Sequence, residues 1–207
     1  MADEQAPTAN PEATPRKRPK PGERRIQILQ ALAAMLEQPG AERVTTAALA
    51  ARLQVSEAAL YRHFASKAQM FEGLIDFIES SVFSLLNQIA EAPHAPMDKV
   101  RRMVTVLLQF AERNPGMARV MVGDALVFEN DRLHQRMNLF FDKVETSLKQ
   151  VLRDAAQASQ SATPSVDAQA QASLWVSFVV GRLQRFARSG YKRSPLEHLD
   201  VTLALIT

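Results

Sequence analysis

Cysteine is absent from this chain of 207 residues, and glycine, tyrosine and tryptophan are scarce. Without thiols there are no disulfides and no thiolate metal sites, and a reducing compartment is allowed. No apolar run approaches the ~18 residues of a membrane helix, the first residues lack an apolar signal core, and no segment alternates as a strand does. We therefore expect an all-α, cytoplasmic protein without a membrane contact.

Catalytic groups are also sparse. The four histidines, His63, His94, His134 and His198, are scattered along the chain. No carboxylate pair, phosphate-binding glycine loop or nucleophile motif accompanies them. We expect no enzyme activity, no metal and no cofactor.

The segment from Thr45 to Phe64 has the layout of a helix-turn-helix. Thr45 and Thr46 are N-cap residues before an alanine- and leucine-rich helix, and Ser56, with Glu57 in the first turn, begins a second short helix. Such a motif places its second helix in the DNA major groove. The candidate DNA-binding residues are Thr45, Thr46, Ser56, Glu57, Ala59, Tyr61, Arg62, His63 and Lys67.

The distribution of charge favours the same function. The whole chain has 25 basic and 22 acidic residues, but residues 16–72 hold ten Lys or Arg against five Asp or Glu. Basic side chains at 16–25 suit phosphate contacts, which supply affinity that does not depend on base sequence. A solvated basic leader is the alternative interpretation.

Apolar residues repeat at helical spacing along most of the chain. Proline-rich residues 1–21 are expected to be a disordered leader, residues 22–72 a DNA-binding domain, and residues 73–207 a regulatory, partner-binding and dimerisation domain. The spacing predicts helices at 24–38, 67–90, 97–113, 115–122, 125–153, 168–189 and 195–206, with a mobile loop at 155–167.

The predicted helix 168–189 carries large apolar side chains and a mid-helix glycine, Gly181. A glycine there costs about 1 kcal/mol relative to alanine, which indicates a close helix contact. The stripe fits either the chain's own core or a homodimer interface, which a helix-turn-helix protein uses to read two half-sites. The candidate interface residues are Trp175, Phe178, Val179, Arg182 and Phe186.

The segment VTTAALAARLQVSEAALYRHFASKAQMFEGL resembles the TetR family of transcription regulators. Further matches, such as FAERNPGMARVMVGDALVFENDRL, are similar to the nucleoid-occlusion members of that family. The resemblance covers roughly residues 23–153. It implies a nucleoid-associated, DNA-bound dimer that antagonises the tubulin-like division protein FtsZ. An ordinary TetR-type repressor, released from DNA by a small ligand, is the alternative.

Two consecutive helices carry residues that lie off their core stripes. On the first of these helices the predicted core stripe includes Leu85, and Phe77 lies on a different side of the helix, beside Met70. On the next helix Arg102, Val106, Gln109 and Arg113 form a second stripe apart from the core stripe. Arginines beside apolar groups suit an acidic, partly apolar peptide, although neighbouring helices could instead cover Phe77. By resemblance, the tail of FtsZ binds here, and the candidate residues are Phe77, Arg102, Val106, Gln109, Arg113 and Asn114.

Overall fold

The computed structural model describes residues 22–38 and 43–206, and every regular element in these ranges is helical. The expected all-α fold is confirmed. The helices are α1 (Glu23–Leu36), α2 (Thr46–Leu53), α3 (Glu57–Tyr61), α4 (Lys67–Glu91), α5 (Pro96–Arg113), α6 (Pro115–Met121), α7 (Asp131–Ala158), α8 (Pro164–Arg188) and α9 (Leu199–Ile206). The predicted leader, residues 1–21, and Pro39-Gly40, which follow the predicted helix 24–38 and are expected to end it, lie outside the described residues. None of these helices is long and apolar enough to cross a bilayer.

Helices α1, α2 and α3 form the N-terminal unit, and α4 leads from it into the larger bundle. The antiparallel hairpin of α7 and α8 packs on α5, and α4 lies against α5 and α7. One contiguous apolar core runs through both parts, from Ile28 in α1 to Leu203 in α9. No polar or charged side chain among the described residues is buried.

Close contacts join α1 to the bundle. A Cβ on Gly116 in α6 would lie 2.2 Å from the carbonyl oxygen of Ala33, so only glycine allows this approach of α6 to α1. The last carbonyl of α1, that of Leu36, accepts hydrogen bonds from Arg119 Nη1 at 3.1 Å and from the Tyr191 hydroxyl at 3.2 Å. The C-terminal end of α1 is therefore held by the bundle.

The prediction for α7 was wrong at both ends. Gly123, with φ of 80°, and a short 3-10 turn over Asp124–Leu126 precede the helix, and Asn130 caps it by accepting from the backbone N–H of Arg132 at 3.1 Å. At the other end α7 continues to Ala158. The loop predicted at 155–167 therefore covers only residues 159–163. The Asp167 carboxylate accepts hydrogen bonds from the hydroxyls of Ser161 and Thr163 and so holds this loop in place.

Other boundaries differ less. The helix predicted at 168–189 begins earlier because Pro164 occupies its first turn, a favoured place for proline. The helix predicted at 195–206 begins only at Leu199, because His198 adopts a positive φ of 53° that ends the preceding turn.

The core stripe of α4 was wrong at two positions. Met70 is buried, because α1 and the residues around Phe64 cover the start of α4 on a second side. Leu85 is 42% exposed, because it faces an open groove between α4 and α5. On α5 six apolar residues at helical spacing are all buried, namely Val100, Met103, Val104, Leu107, Leu108 and Ala111.

Candidate DNA and partner interfaces

The turn between α2 and α3 is fixed by local hydrogen bonds. Thr45 Oγ1 accepts from the backbone N–H of Ala48 at 3.1 Å, and Ser56 Oγ accepts from that of Ala59 at 3.3 Å. The N-caps predicted at Thr45 and Ser56 are confirmed, whereas Thr46 is the first residue of α2 rather than its cap. Gln54 ends α2 in the left-handed region with φ of 55°, which turns the chain into α3.

Two further contacts hold α3 in place. Thr46 Oγ1 donates to Glu57 Oε2 and so links the start of α2 to the start of α3. At the other end Arg25 donates to the carbonyl oxygen of His63, and its guanidinium lies 4.1 Å from the centroid of the Phe64 ring. Arg25 therefore positions the end of the recognition helix, in addition to any contact with phosphate.

Four exposed polar side chains of the helix-turn-helix are the candidates for DNA contact, and we call them the DNA face. It consists of Thr45, Glu57, Tyr61 and Arg62, with Tyr61 45% exposed. Thr46, Ala59 and His63 are partly buried beside it, and Ser56 is exposed at the cap. Hydroxyl and guanidinium donors on a short helix suit contacts with phosphates and base edges.

Lys67 does not belong to the DNA face. Its side chain, only 18% exposed, forms an ion pair with Glu129, which is 9% exposed, and lies 5.6 Å from the Phe71 ring. The predicted contact of Lys67 with DNA stays a prediction, and it would have to compete with this ion pair. Glu129 is 62 residues away in the chain, so no local pattern could have indicated the pair.

Several residues of this region were missed by the sequence reasoning. Ser66 caps α4 by accepting from the N–H of Gln69 at 3.2 Å, while Gln69 Oε1 accepts from the N–H of Ala65 at 2.9 Å. The Ser-x-x-Gln spacing of a capping box was the available signal. Arg43 and Arg52 are also exposed basic residues next to and within α2.

The second candidate surface, which we call the partner face, follows α4 and α5. Phe77 is 47% exposed, and its ring centroid lies 6.5 Å from that of Phe110. Arg102 and Arg113 are exposed, whereas Val106 and Gln109 are half-buried. Asn114 is half-buried and donates to the carbonyl oxygen of Phe110 at 2.7 Å.

Two grooves meet the partner face at its ends. Phe77 and Asn114 border a groove of about 350 Å³ that is lined also by Ile26, Leu29 and Met117, so it lies between α1, α4 and α6. Arg102 and Val106 border another, of about 420 Å³, with Leu85 and Ile89 of α4. Both grooves have mainly apolar walls with a few polar side chains.

The residues predicted for a dimer interface lie mostly inside the chain's own core. Trp175, Val179 and Phe186 are at most 3% exposed, so they are not available to a second chain. Phe178 is half-buried, with the Trp175 ring centroid at 6.1 Å and the Arg182 guanidinium at 5.1 Å. Arg182 also donates to the carbonyl oxygen of Glu197 and to Thr202, which fixes α9 on α8.

A different set of residues on α8 and α9 is apolar and exposed. Leu174, Val201 and Leu205 are 53%, 65% and 82% exposed. A Cβ added to Gly181 would meet no atom of the chain within 4 Å, so this glycine has no close contact within one chain. We call these four residues the α8–α9 face.

Comparisons with known proteins agree with this architecture. A family model described as "Bacterial regulatory proteins, tetR family" matches residues 28–74, and one described as SlmA-like, "Tetracyclin repressor-like, C-terminal domain", matches residues 95–207.

The chain is 50% identical over 177 residues to the nucleoid occlusion factor SlmA of Idiomarina loihiensis, covering 86% of this chain and 90% of that protein. It is 49% identical over 185 residues to the SlmA of Vibrio cholerae, covering 89% and 94%.

Solved structures share the fold at lower identity. The TetR family regulator PfmR from Thermus thermophilus superposes with a TM-score of 0.71 at 21% identity, covering 87% of this chain and 96% of that one. FadR from Bacillus subtilis, in complex with stearoyl-CoA, superposes with a TM-score of 0.69 at 14% identity, also covering 87% of this chain and 96% of that one.

Proposed function

Since the chain belongs to the TetR family of DNA-binding regulators, in its SlmA branch of nucleoid occlusion factors, we propose that it binds chromosomal sites as a homodimer. We propose further that, from those sites, it antagonises assembly of the division protein FtsZ. The observation that carries this proposal is the coexistence of two exposed faces on one chain, one polar on α2 and α3, the other aromatic and basic on α4 and α5. The family is one of DNA-binding regulators rather than enzymes.

DNA binding is supported by the geometry of the DNA face. Caps at Thr45 and Ser56 and the contacts of Arg25 hold α3 in one position, while Tyr61 and Arg62 remain exposed. A preformed recognition helix loses little conformational entropy on binding. The exposed Arg43 and Arg52 are further candidates for phosphate contacts.

Dimerisation is supported by the α8–α9 face rather than by the buried residues of α8. Leu174 and Gly181 stand seven residues apart and so share one side of α8, and Val201 and Leu205 add exposed apolar side chains on α9. Such groups suit the close approach of a second copy in an isologous two-fold contact. A symmetric dimer places two recognition helices on two half-sites of one duplex.

The acidic, partly apolar tail of FtsZ is the proposed ligand of the partner face. Phe77 and Phe110 provide an aromatic anchor between the two grooves. The exposed Arg102 and Arg113 provide charge-assisted hydrogen bonds for carboxylates. Because the partner face and the DNA face share no residue, one chain can bind DNA and the FtsZ tail at the same time.

The alternative of a ligand-released repressor needs a pocket with a few convergent polar groups. The described core contains no buried polar or charged side chain. The core helices meet through aliphatic and aromatic groups, whereas the polar groups converge at a groove of about 520 Å³ that is partly open to solvent and is lined by Asp124, His134, Gln184 and Arg188.

Mapping of chromosomal occupancy tests the proposed function. Crosslinking, recovery of bound DNA and sequencing in dividing cells should show occupancy at many dispersed sites, and raised expression should block septum formation. Occupancy confined to the control region of one operon, with normal septation, would favour the repressor instead.

A further inference from the structure

Helices α4 and α7 are joined by a row of ion pairs, which we call the charge row. Residue numbers rise together on the two sides, so the helices run in the same direction. The pairs are Lys67–Glu129, Glu72–Arg132 at 2.7 Å, Asp76–Arg136 at 2.9 Å, Glu79–Arg136 at 2.8 Å and Glu79–Lys143 at 3.3 Å.

The order of charges along the charge row specifies one register. On α4 a base is followed by three acids, and on the α7 side an acid is followed by three bases. A slide of about one helical turn, roughly 5.4 Å, would bring Lys67 beside Arg132 or Glu72 beside Glu129. Like charges at that distance repel, so the Lys67–Glu129 end of the row opposes movement of α4 along α7 in either direction, whereas the later acids of α4 would still face a base.

The first pair is the best shielded from water. Lys67 and Glu129 are 18% and 9% exposed, whereas Lys143 at the other end is 59% exposed. A shielded pair interacts more strongly, and the loss of one partner leaves the other charge partly buried and unpaired. The backbone N–H of Glu129 also donates to the carbonyl oxygen of Leu126 at 2.9 Å, which fixes the turn that presents the carboxylate.

Lys67 is also the first residue of α4, six residues after the end of α3. Phe64, in the connection between α3 and α4, is buried and packs beside Gly73 of α4, so a displacement of the start of α4 is passed on to the end of the recognition helix. We propose that Glu129 is a positioning residue for DNA binding, which acts through Lys67 to fix the recognition helix at one position relative to the bundle. This inference depends on DNA binding alone, and it stands whether or not the partner face binds FtsZ.

Substitution of Glu129 distinguishes a positioning role of the ion pair from a direct contact between Lys67 and DNA. Glu129→Gln frees the Lys67 ammonium, so a lysine that binds phosphate would then bind DNA as well as before or better, with an unchanged or steeper salt dependence. A positioning role predicts the opposite. Affinity should fall on the order of tenfold for a duplex selected on the wild-type chain from a random-sequence pool, and much less for an unselected duplex.

A double-mutant cycle adds rescue to this test. Lys67→Glu places two carboxylates together and should weaken selected-duplex binding more than Glu129→Gln does. The swap Lys67→Glu with Glu129→Lys restores opposite charges and should recover most of that loss. The matched control is Lys143→Gln, the exposed end of the same row, for which we expect less than about a threefold change.

A distance measurement reads the position of the helix directly. The chain has no cysteine, so spin labels at Arg62→Cys on the DNA face and Arg153→Cys near the end of α7 report an intrachain distance when labelled chains are diluted in unlabelled ones. Glu129→Gln should broaden the distance distribution and the swap should narrow it again, with melting temperatures as the folding control. A Glu129→Gln chain that keeps the wild-type distance and selected-duplex affinity, or a swap that recovers neither, would overturn the assignment.

Discussion

The DNA face lies on helices of eight and five residues, whereas the partner face lies on helices of 25 and 18 residues. The short helices bury few residues of their own, so caps and distant contacts such as Arg25 with His63 determine where the DNA face lies. Buried apolar stripes anchor the long helices along their whole length, so the position of the partner face does not depend on caps or on single distant contacts. DNA binding should therefore respond to changes far from the DNA, and partner binding mainly to the exposed side chains.

The largest expected effect comes from separating the two copies. Leu174→Glu places a charge in the α8–α9 face and should give monomers. Selected-duplex affinity should then fall by about a hundredfold or more, because two linked half-site contacts become independent. Peptide binding per chain should persist. Sedimentation velocity and titration with labelled duplex measure these effects.

Leu139→Glu is the matched control, since Leu139 is 55% exposed on α7 and lies outside the α8–α9 face. A wild-type chain that is already monomeric at micromolar concentration would contradict the proposed dimer.

The second prediction alters the partner face alone. Phe77→Ala or Arg113→Asp should weaken capture of an FtsZ tail peptide by about thirtyfold, because each removes an anchor of the kind that dominates interfaces. Duplex affinity should change by less than about twofold, and stability by about 0.5 kcal/mol, as is usual for surface positions. Fluorescence anisotropy and melting curves measure both.

Arg153→Asp, an exposed arginine at the far end of α7, serves as the charge control. A large fall in melting temperature together with loss of peptide binding would show that these side chains support the fold rather than the partner.

The third prediction alters the DNA face alone. Thr45→Ala and Tyr61→Ala should each lower duplex affinity by about tenfold while the slope of log K against log salt stays nearly unchanged, because a neutral hydroxyl on a phosphate displaces no counterion. Thr45→Ala also removes a cap worth about 1 kcal/mol, so Tyr61→Ala is the cleaner variant. Unchanged isotherms for both at several salt concentrations would remove this surface from the DNA interface.

The smallest expected effect concerns the joint between α1 and the bundle. Burial raises the pKa of Tyr191, whose hydroxyl donates to Leu36. Because ionisation is easier in the unfolded chain, the stability contributed by this group is present below pH ~10 and lost as pH rises through the folded-state pKa. Tyr191→Phe should cost about 1 kcal/mol at neutral pH, and its melting temperature should fall less steeply above pH ~10 than that of the wild type. Parallel slopes would contradict this role.

Patterns within a few residues of sequence predicted the helix caps, but they did not predict contacts between residues far apart in the chain. The caps at Thr45 and Ser56 were predictable because each cap interacts within three residues. The stripe of Trp175, Val179 and Phe186 could not be assigned, because apolar spacing shows that a face is covered without showing whether the same chain or a second one covers it. The ion pair of Lys67 was also beyond local patterns, since its partner Glu129 approaches only through the packing of α7 on α4.

The start of α7 was mispredicted because apolar spacing was extended through a turn. Gly123 adopts a positive φ, and Asn130 precedes Asp131 as a cap. Both are recognisable turn and cap residues, so this boundary was available in the sequence.

The central claim is that one chain binds DNA and its protein partner at the same time through separate faces. Fluorescence anisotropy of a labelled FtsZ tail peptide, titrated with the wild-type chain alone and with the chain saturated by its selected duplex, tests this directly. We predict saturable peptide binding to the DNA-bound chain, with an affinity at least as high as without DNA. Displacement of the duplex by the peptide, or absence of peptide binding in both titrations, would contradict it.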